Sequence, residues 1–147
     1  MFISTGSPLS KSTFQFINQT LNKKSFIHSI SGGTDIVSCF MLGVPTLPVY
    51  AGEIQGPGLG MNIDVFNEKG KSTNQTGELV CKTPFLPNPF IFGMIKILKK
   101  YQSAYFEKFK NIWSHGDYVK KTKNSGYIIY GRSDATLKSG RGENWNG

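Results

Sequence analysis

The segment His115-Gly116-Asp117-Tyr118 is followed, a dozen residues later, by Tyr130-Gly131-Arg132-Ser133-Asp134. This order predicts a loop carboxylate at Asp117, a short hairpin, and then a turn that carries Arg132. A carboxylate can accept hydrogen bonds from two vicinal hydroxyls, as on a ribose, and an arginine can neutralise a phosphate with its planar set of donors. The two segments together favour a site for a nucleotide.

A second candidate site lies upstream, in the glycine-rich segment Ser31-Gly32-Gly33-Thr34-Asp35. Strand-like residues 25–30 precede it, so the pattern predicts a tight turn and then a short helix over 36–40. Two glycines let the backbone approach a ligand closely, the Thr34 hydroxyl can donate to a phosphate, and Asp35 can hold a magnesium ion. The alternative is a structural turn in which Asp35 serves as a cap.

The rest of the sequence predicts an α/β fold with a short α/β beginning and a mainly antiparallel β region. One helix is expected over 12–23, capped by Ser10 or Ser12, and another over 101–109 with an aromatic face. Strands are expected over 47–50, 61–66, 78–82 and 127–130, with turns at 67–71 and 124–126. The predicted units are an α/β portion over 1–46, a β-rich subdomain over 47–137 and a loose tail over 138–147.

The composition is strongly basic, with 17 Lys and Arg, 9 Asp and Glu and a net charge of +8. The lysines occur in short pairs such as Lys120-Lys121, without a nucleic-acid-binding motif, so solvated lysines or a basic pocket for a small anion are favoured over nucleic-acid binding. Cys39 and Cys81 stand among apolar residues and are expected to be buried free thiols. No signal-peptide pattern opens the sequence, and the apolar run 90–98 is shorter than the ~20 residues of a membrane span. We therefore expect a soluble, cytoplasmic protein.

Several other catalytic chemistries find no support in the sequence. His28 and His115 are not spaced as a metal-binding pair, and His115 is expected to pack or to orient Asp117. Neither a Gly-x-Ser-x-Gly elbow nor a Walker loop is present, and the glycines over 52–60 are expected to form structural turns.

The order of the motifs resembles that of the adenylate-forming acyl-CoA synthetases, and most closely their acetoacetyl-CoA synthetase branch. The resemblance covers residues 3–137. The motifs are Ser-Thr-Gly-Ser-Pro-Leu from residue 4, Ser-Gly-Gly-Thr-Asp-Ile from 31, Gly-Glu-Ile-Gln from 52, Gly-Glu-Leu-Val-Cys from 77, Ala-Tyr-Phe from 104, Trp-Ser-His-Gly-Asp-Tyr from 113 and Gly-Arg-Ser-Asp-Ala-Thr-Leu from 131.

The resemblance implies that three segments of the chain build one nucleotide site within an AMP-binding domain. It also implies that Asp134 is the hinge about which a small C-terminal domain rotates. The implied roles are packing on adenine for Gly6, Ser7 and Pro8; close approach of the backbone to the nucleotide for Gly33; contact with the α-phosphate for Thr34; a link to magnesium for Asp35; ribose binding for Asp117; and contact with the nucleotide for Arg132. Of these, Thr34 and Arg132 are the expected catalytic residues.

The implied reaction joins acetoacetate to coenzyme A in two steps. ATP, with Mg²⁺, first activates the carboxylate to an acyl-adenylate and releases pyrophosphate, and coenzyme A then displaces AMP to give the thioester. The sequence leaves the oligomeric state open.

The sequence also departs from the family pattern. The phosphate loop would lie upstream of these residues, and the C-terminal domain with its catalytic lysine downstream, so we expect the chain to be an internal fragment that is inactive alone. Three alternatives stay open: a non-catalytic nucleotide-binding remnant, a segment of another short-chain acyl-CoA synthetase, and a non-functional product of a truncated gene.

Overall fold

The computed structural model describes residues 1–21, 26–84 and 95–134, and gives only the backbone of 95–98. Within these residues the helices are α1 (Lys11–Thr20) and α2 (Ile95–Phe106), and neither is long and apolar enough to cross a bilayer. The predicted tail over 138–147 lies outside the described residues. The strands are β1 (Phe2–Ser4), β2 (Ile27–Ser29), β3 (Ser31–Gly33), β4 (Ser38–Leu42), β5 (Gly56–Pro57), β6 (Ile63–Phe66), β7 (Gly77–Cys81), β8 (Trp113–Lys121) and β9 (Tyr127–Arg132).

The described strands form three sheets. The first pairs β1 with β2 in parallel, and α1 connects them, because parallel neighbours need a crossover connection. The second has the order β3-β4-β5 and the third the order β6-β7-β8-β9, and both are antiparallel. This architecture confirms the predicted class, a short α/β beginning followed by mainly antiparallel β structure. The division of the chain at 46/47 and 137/138 stays a prediction.

The first helix follows Ser10, as the sequence predicts. The Oγ of Ser10 accepts a hydrogen bond from the backbone N–H of Thr13 at 3.1 Å, which satisfies one of the free amides of the first turn. Phe14 of this helix is buried, whereas Leu21, the residue that caps its C-terminal end, is 58% exposed.

The glycine-rich segment forms strand β3 instead of the predicted tight turn. A Cβ at Gly32 would lie 2.2 Å from the carbonyl oxygen of Ser38, so this glycine lets β3 and β4 approach each other closely. The chain reverses later, through a 3₁₀ turn at Thr34–Ile36 and a left-handed Val37 with φ of 49°. The predicted helix over 36–40 is therefore wrong, and β4 takes its place.

The predicted strand over 47–50 is also wrong, because this segment is a loop held by the buried side chain of Gln55. The Nε2 of Gln55 donates to the carbonyl oxygens of Leu47 and Pro48 at 2.6 and 3.1 Å. Its Oε1 accepts from the backbone N–H of Val44 at 2.9 Å. Pro48 has no N–H to give to a neighbouring strand, and here a side-chain amide serves as the partner that a sheet would supply.

The other predicted β segments are confirmed, with small shifts of their ends. Gly70 and Ser125 take left-handed φ values of 70° and 64°, as tight turns between antiparallel strands require. Strands β6, β7 and β9 correspond to the predictions over 61–66, 78–82 and 127–130, the two turns lie at 67–71 and 124–126, and α2 covers part of the helix predicted over 101–109 but ends at residue 106.

One apolar core joins the second and third sheets. Phe40 of β4 and Cys81 of β7 belong to the same buried cluster, and burial raises the pKa of the Cys81 thiol. Cys39, also expected to be buried, is only half-buried. Helix α2 covers the core with aromatic rings, of which Tyr105 stacks on Trp113 with ring centroids 3.9 Å apart.

A buried carboxylate on β6, Asp64, is held by two lysines. Lys82 Nζ lies 3.0 Å from its Oδ2, Lys121 Nζ contacts its Oδ1, and the Ser72 hydroxyl donates to Oδ1 at 3.0 Å. Burial alone would raise the pKa of Asp64, but these hydrogen bonds and one from its neighbour's backbone outweigh burial and lower the pKa to about 2.

We expect the substitution Gln55→Leu to lower the free energy of unfolding by ~3 kcal/mol, because it leaves the part-buried backbone N–H of Val44 and the buried Nδ1 of His28 without their acceptor. Urea denaturation monitored by tryptophan fluorescence measures the change. The exposed Gln75→Leu is the control and should change stability little. Equal stability of the wild type and the Gln55 variant would contradict this role of the amide.

The pKa of Asp64 also predicts how stability depends on pH. The carboxyl has its ordinary value of 3.8 when unfolded and about 2 when folded, so its contribution is complete above pH 3.8 and is lost as pH falls towards 2. The difference in unfolding free energy between wild type and Asp64→Asn should therefore be constant from pH 5 to 7 and shrink by about 2 kcal/mol on acidification. A difference that does not change with pH would show that the lysines do not stabilise the charged form.

Candidate functional site

A cleft of about 220 Å³ lies where the loop after β1 faces β3 and the paired strands β8 and β9. Five of the residues to which the resemblance gave a nucleotide-binding role line it: Gly6, Ser7, Pro8, Asp117 and Arg132. Gly32 and His115 line it as well. Residues far apart in the sequence thus meet in one place, as a composite site requires.

Asp117 and Arg132 lie opposite each other across neighbouring strands. Asp117 is in β8 and pairs in register with Arg132, the last residue of β9. The predicted loop position of Asp117 and the predicted turn position of Arg132 are therefore both wrong. The Nη1 of Arg132 donates to Asp117 Oδ1 at 3.3 Å, and the hydroxyl of Ser31 donates to Oδ2 at 3.4 Å. Asp117 is buried at 8% exposure, whereas nearly half of the Arg132 side chain is accessible. The Asp117 carboxylate is therefore held in the cleft wall by hydrogen bonds, and the Arg132 guanidinium is accessible to a ligand.

His115 lies beside this pair, with its Nε2 3.7 Å from Asp117 Oδ2. Its ring packs edge-on against Phe40 of β4, with centroids 4.7 Å apart. Burial lowers the pKa of His115 and the positive charge of Arg132 lowers it further, although Asp117 acts in the opposite direction. The imidazole is thus uncharged at neutral pH, and the positively charged partner of Asp117 is Arg132.

Arg132 is bound more tightly to Asp134 than to Asp117. Its Nε donates to Asp134 Oδ1 at 2.8 Å and its Nη2 to Oδ2 at 2.5 Å, in a side-on pair. These hydrogen bonds raise the pKa of Arg132 and lower the pKa of Asp134. Three of the five guanidinium N–H donors are used by the two carboxylates, which leaves two for an anionic ligand. The hinge role of Asp134 stays a prediction.

Three other predicted site residues, Gly33, Thr34 and Asp35, are not among the described residues that line the cleft. A Cβ at Gly33 would lie 3.4 Å from Cε1 of His115, so β3 reaches the cleft wall here. Thr34 and Asp35 follow in the 3₁₀ turn and are exposed. Asp35 Oδ2 accepts a hydrogen bond from the hydroxyl of Tyr105 in α2. Burial, followed by that bond, raises the pKa of Tyr105 to about 12, so the phenol remains protonated and continues to donate.

The described part of the chain contains no group of three or more His, Cys, Asp or Glu side chains that could hold a metal ion. Asp35 supplies one exposed carboxylate, and one of its oxygens is engaged by Tyr105. Because Mg²⁺ in nucleotide enzymes is bound by one or two carboxylates together with substrate phosphates and water, Asp35 fits the role of a single protein ligand.

Two residues that the sequence reasoning did not single out support the site from behind. The buried Glu78 of β7 accepts a hydrogen bond from the backbone N–H of Gly116 at 2.7 Å and another from the Ser133 hydroxyl at 2.7 Å. The signal for Glu78 was a carboxylate inside the apolar strand Gly-Glu-Leu-Val-Cys, because a buried charge needs nearby partners. Ser133 carried no comparable signal.

Comparison with known proteins extends over nearly the whole chain. It is 50% identical to the acetoacetyl-coenzyme A synthetase of Rhizobium meliloti over 141 residues, and 44% identical to the acetoacetyl-CoA synthetase of Gallus gallus over 137 residues. These matches cover 95% and 92% of the chain, respectively. No protein-family model matches.

The fold leads to the same group of proteins. The acetoacetyl-CoA synthetase structure from Streptomyces lividans superimposes with a TM-score of 0.72 at 36% identity and covers 92% of the chain. The chain spans about a fifth of the length of these relatives, 20% and 22% for the two curated proteins and 22% for the solved structure. By sequence and by fold, the chain belongs to the acetoacetyl-CoA synthetase family.

Proposed function

We propose that this chain forms the nucleotide-binding face of an acetoacetyl-CoA synthetase. Such an enzyme uses ATP to activate acetoacetate as an acyl-adenylate and then transfers the acyl group to coenzyme A. The observation that carries the proposal is the cleft in which Asp117 and Arg132 pair across two strands, opposite the loop of Gly6, Ser7 and Pro8. A fixed carboxylate beside an accessible guanidinium supplies acceptors for ribose hydroxyls and donors for a phosphate.

Each part of the cleft has a role in this proposal. An ionised carboxylate has about four acceptor positions, so Asp117 can bind ribose hydroxyls while it keeps its bonds to Arg132 and Ser31. The two unused donors of Arg132 face the phosphate, and residues 6–8 pack on the adenine. Thr34 and Asp35, in the 3₁₀ turn that follows β3, are the proposed contacts of the α-phosphate and its metal ion. When bound there, magnesium would neutralise charge on the phosphates, with Asp35 as its protein ligand.

The site contributes only part of the catalytic machinery, since the chain corresponds to a fifth of its relatives. In this proposal residues 1–46 complete the α/β portion of an AMP-binding domain and residues 47–137 form its β-rich subdomain. Asp134, at the end of the described residues, is the proposed hinge towards a C-terminal domain. The chain alone would then bind a nucleotide without turning it over.

We expect the purified chain to bind AMP saturably in isothermal titration calorimetry, and Asp117→Ala to weaken binding at least ~10-fold, because hydrogen bonds to a charged group contribute ~1.5–3 kcal/mol. Glu68→Ala, which removes an exposed carboxylate in the β6–β7 turn, is the matched control and should bind like wild type. The proposal fails if no heat is seen at millimolar AMP, or if both variants bind equally well.

We also expect the chain alone to show no acetoacetate-dependent exchange of pyrophosphate into ATP. Stabilising the transferring α-phosphoryl group needs several aligned donors, and loss of even one costs ~3 kcal/mol of transition-state stabilisation. A full-length acetoacetyl-CoA synthetase, measured in the same assay, is the positive control. Robust exchange by the isolated chain would overturn the expectation that it is inactive.

A further inference from the structure

Glu78 is one of the least exposed charged side chains of the described residues, at 2%, and it is bonded on both of its oxygens. Its Oε1 accepts from the backbone N–H of Gly116 at 2.7 Å. Its Oε2 accepts from the Ser133 hydroxyl at 2.7 Å and from Lys108 Nζ at 2.5 Å. One buried carboxylate thus ties β7 to β8, to the residue after β9 and to the segment that follows α2.

These bonds lie next to both members of the proposed nucleotide-binding pair. Gly116 directly precedes Asp117, and Ser133 directly follows Arg132. A backbone hydrogen bond from Ser133 N–H to the Gly116 carbonyl, at 2.8 Å, closes the arrangement. We therefore expect the distance between β8 and β9 at the cleft to depend on the hydrogen bonds that Glu78 accepts from Gly116 and Ser133.

The strand register explains why a side chain is needed at this point. Glu78 pairs with Tyr118 and Val80 pairs with Ser114, so one intervening residue on β7 faces three on β8. Such a bulge lifts the extra residues out of the ladder and aims their side chains elsewhere, here into the cleft. It also takes the Gly116 N–H away from a backbone acceptor, and the Glu78 carboxylate accepts it instead.

We propose that Glu78 is the positioning residue of this site: it stabilises the bulge in β8 and holds Asp117 and Arg132 at the separation a nucleotide requires. The positioning role is inferred from the geometry of the strands, whereas the identity of the ligand, a nucleotide, rests on the proposed function. Glu78 itself is not among the residues lining the cleft, so it acts through Gly116 and Ser133.

A second buried carboxylate of the same sheet offers a matched control. Asp64 is 5% exposed and, like Glu78, bonds to lysine and serine side chains, but its partners are Lys82, Lys121 and Ser72. Asp64→Asn should therefore lower stability without moving the cleft. Glu78→Gln keeps the shape of the side chain but loses its charge, so the bond from the Gly116 N–H is no longer charge-assisted. Its amide nitrogen also cannot accept the bonds that Oε2 accepts.

The test uses the ¹⁵N-labelled full chain, with the Gly116 amide and the Arg132 Nε–H as local probes and AMP calorimetry as the binding measurement. In Glu78→Gln we expect Gly116 amide exchange to rise and AMP affinity to fall, each by at least ~10-fold, together with a shift of the Arg132 Nε–H signal. In Asp64→Asn, both probes and the affinity should match wild type. If Glu78→Gln keeps the wild-type probes, or changes them no more than Asp64→Asn does, the proposal is wrong.

Three further outcomes also bear on the proposal. If Glu78→Gln does not fold, Ser133→Ala removes one bond and keeps the buried charge, so it should give the same changes at smaller size, and unchanged probes there would overturn the proposal. If wild type binds no AMP, the proposed function fails, and the Gly116 and Arg132 probes alone decide whether Glu78 positions the strands. If wild type binds AMP and folded Glu78→Gln binds within about twofold, the inference fails while the proposed function stands.

Discussion

The cleft depends on the register in which β8 pairs with β9, because that register places Asp117 opposite Arg132. A shift of one residue along an antiparallel pair would move every side chain to the other face of the sheet. Gly116 secures the arrangement, since its φ is +83° and a Cβ there would lie 2.5 Å from Nη2 of Arg132. A side chain at position 116 would displace the guanidinium, and the positive φ favours glycine there.

The position of β3 relative to this pair is set by aromatic packing between the sheets. Phe40 of β4 meets the edge of the His115 ring, and His115 in turn lies against Gly33. On the other side, Tyr105 stacks on Trp113 at the beginning of β8 and donates to Asp35. The 3₁₀ turn is thus anchored to the strand that carries Asp117, although Asp35 and Asp117 lie about 80 residues apart in the sequence.

The strongly basic composition does not produce an unpaired basic cleft. Around the site, acids and bases are matched: Arg132 pairs with Asp117 and Asp134, and Lys108 with the buried Glu78. Recognition of a nucleotide here would rest on a few oriented donors and acceptors, since a general positive potential would not distinguish one anion from another.

Local sequence determined those features whose physical cause is local. The cap at Ser10, the left-handed turns at Gly70 and Ser125, and the strands β6, β7 and β9 follow from side-chain and backbone preferences within a few residues. The order of motifs identified the family and named the pair Asp117 and Arg132, because residue identity and order are properties of the sequence itself.

Tertiary structure alone decided the features that depend on distant partners. The sequence predicted a turn at the glycines of β3. In the structure, Gly32 instead allows β4 to pack closely, because the β4 backbone lies where a Cβ of Gly32 would be. The sequence predicted a loop position for Asp117, but the residue lies in strand β8. At the bulge of this strand, the backbone N–H of Gly116 donates to the carboxylate of Glu78 in β7. A sequence pattern reports which groups a residue can bond, whereas the register and the packing of other strands determine which groups it meets.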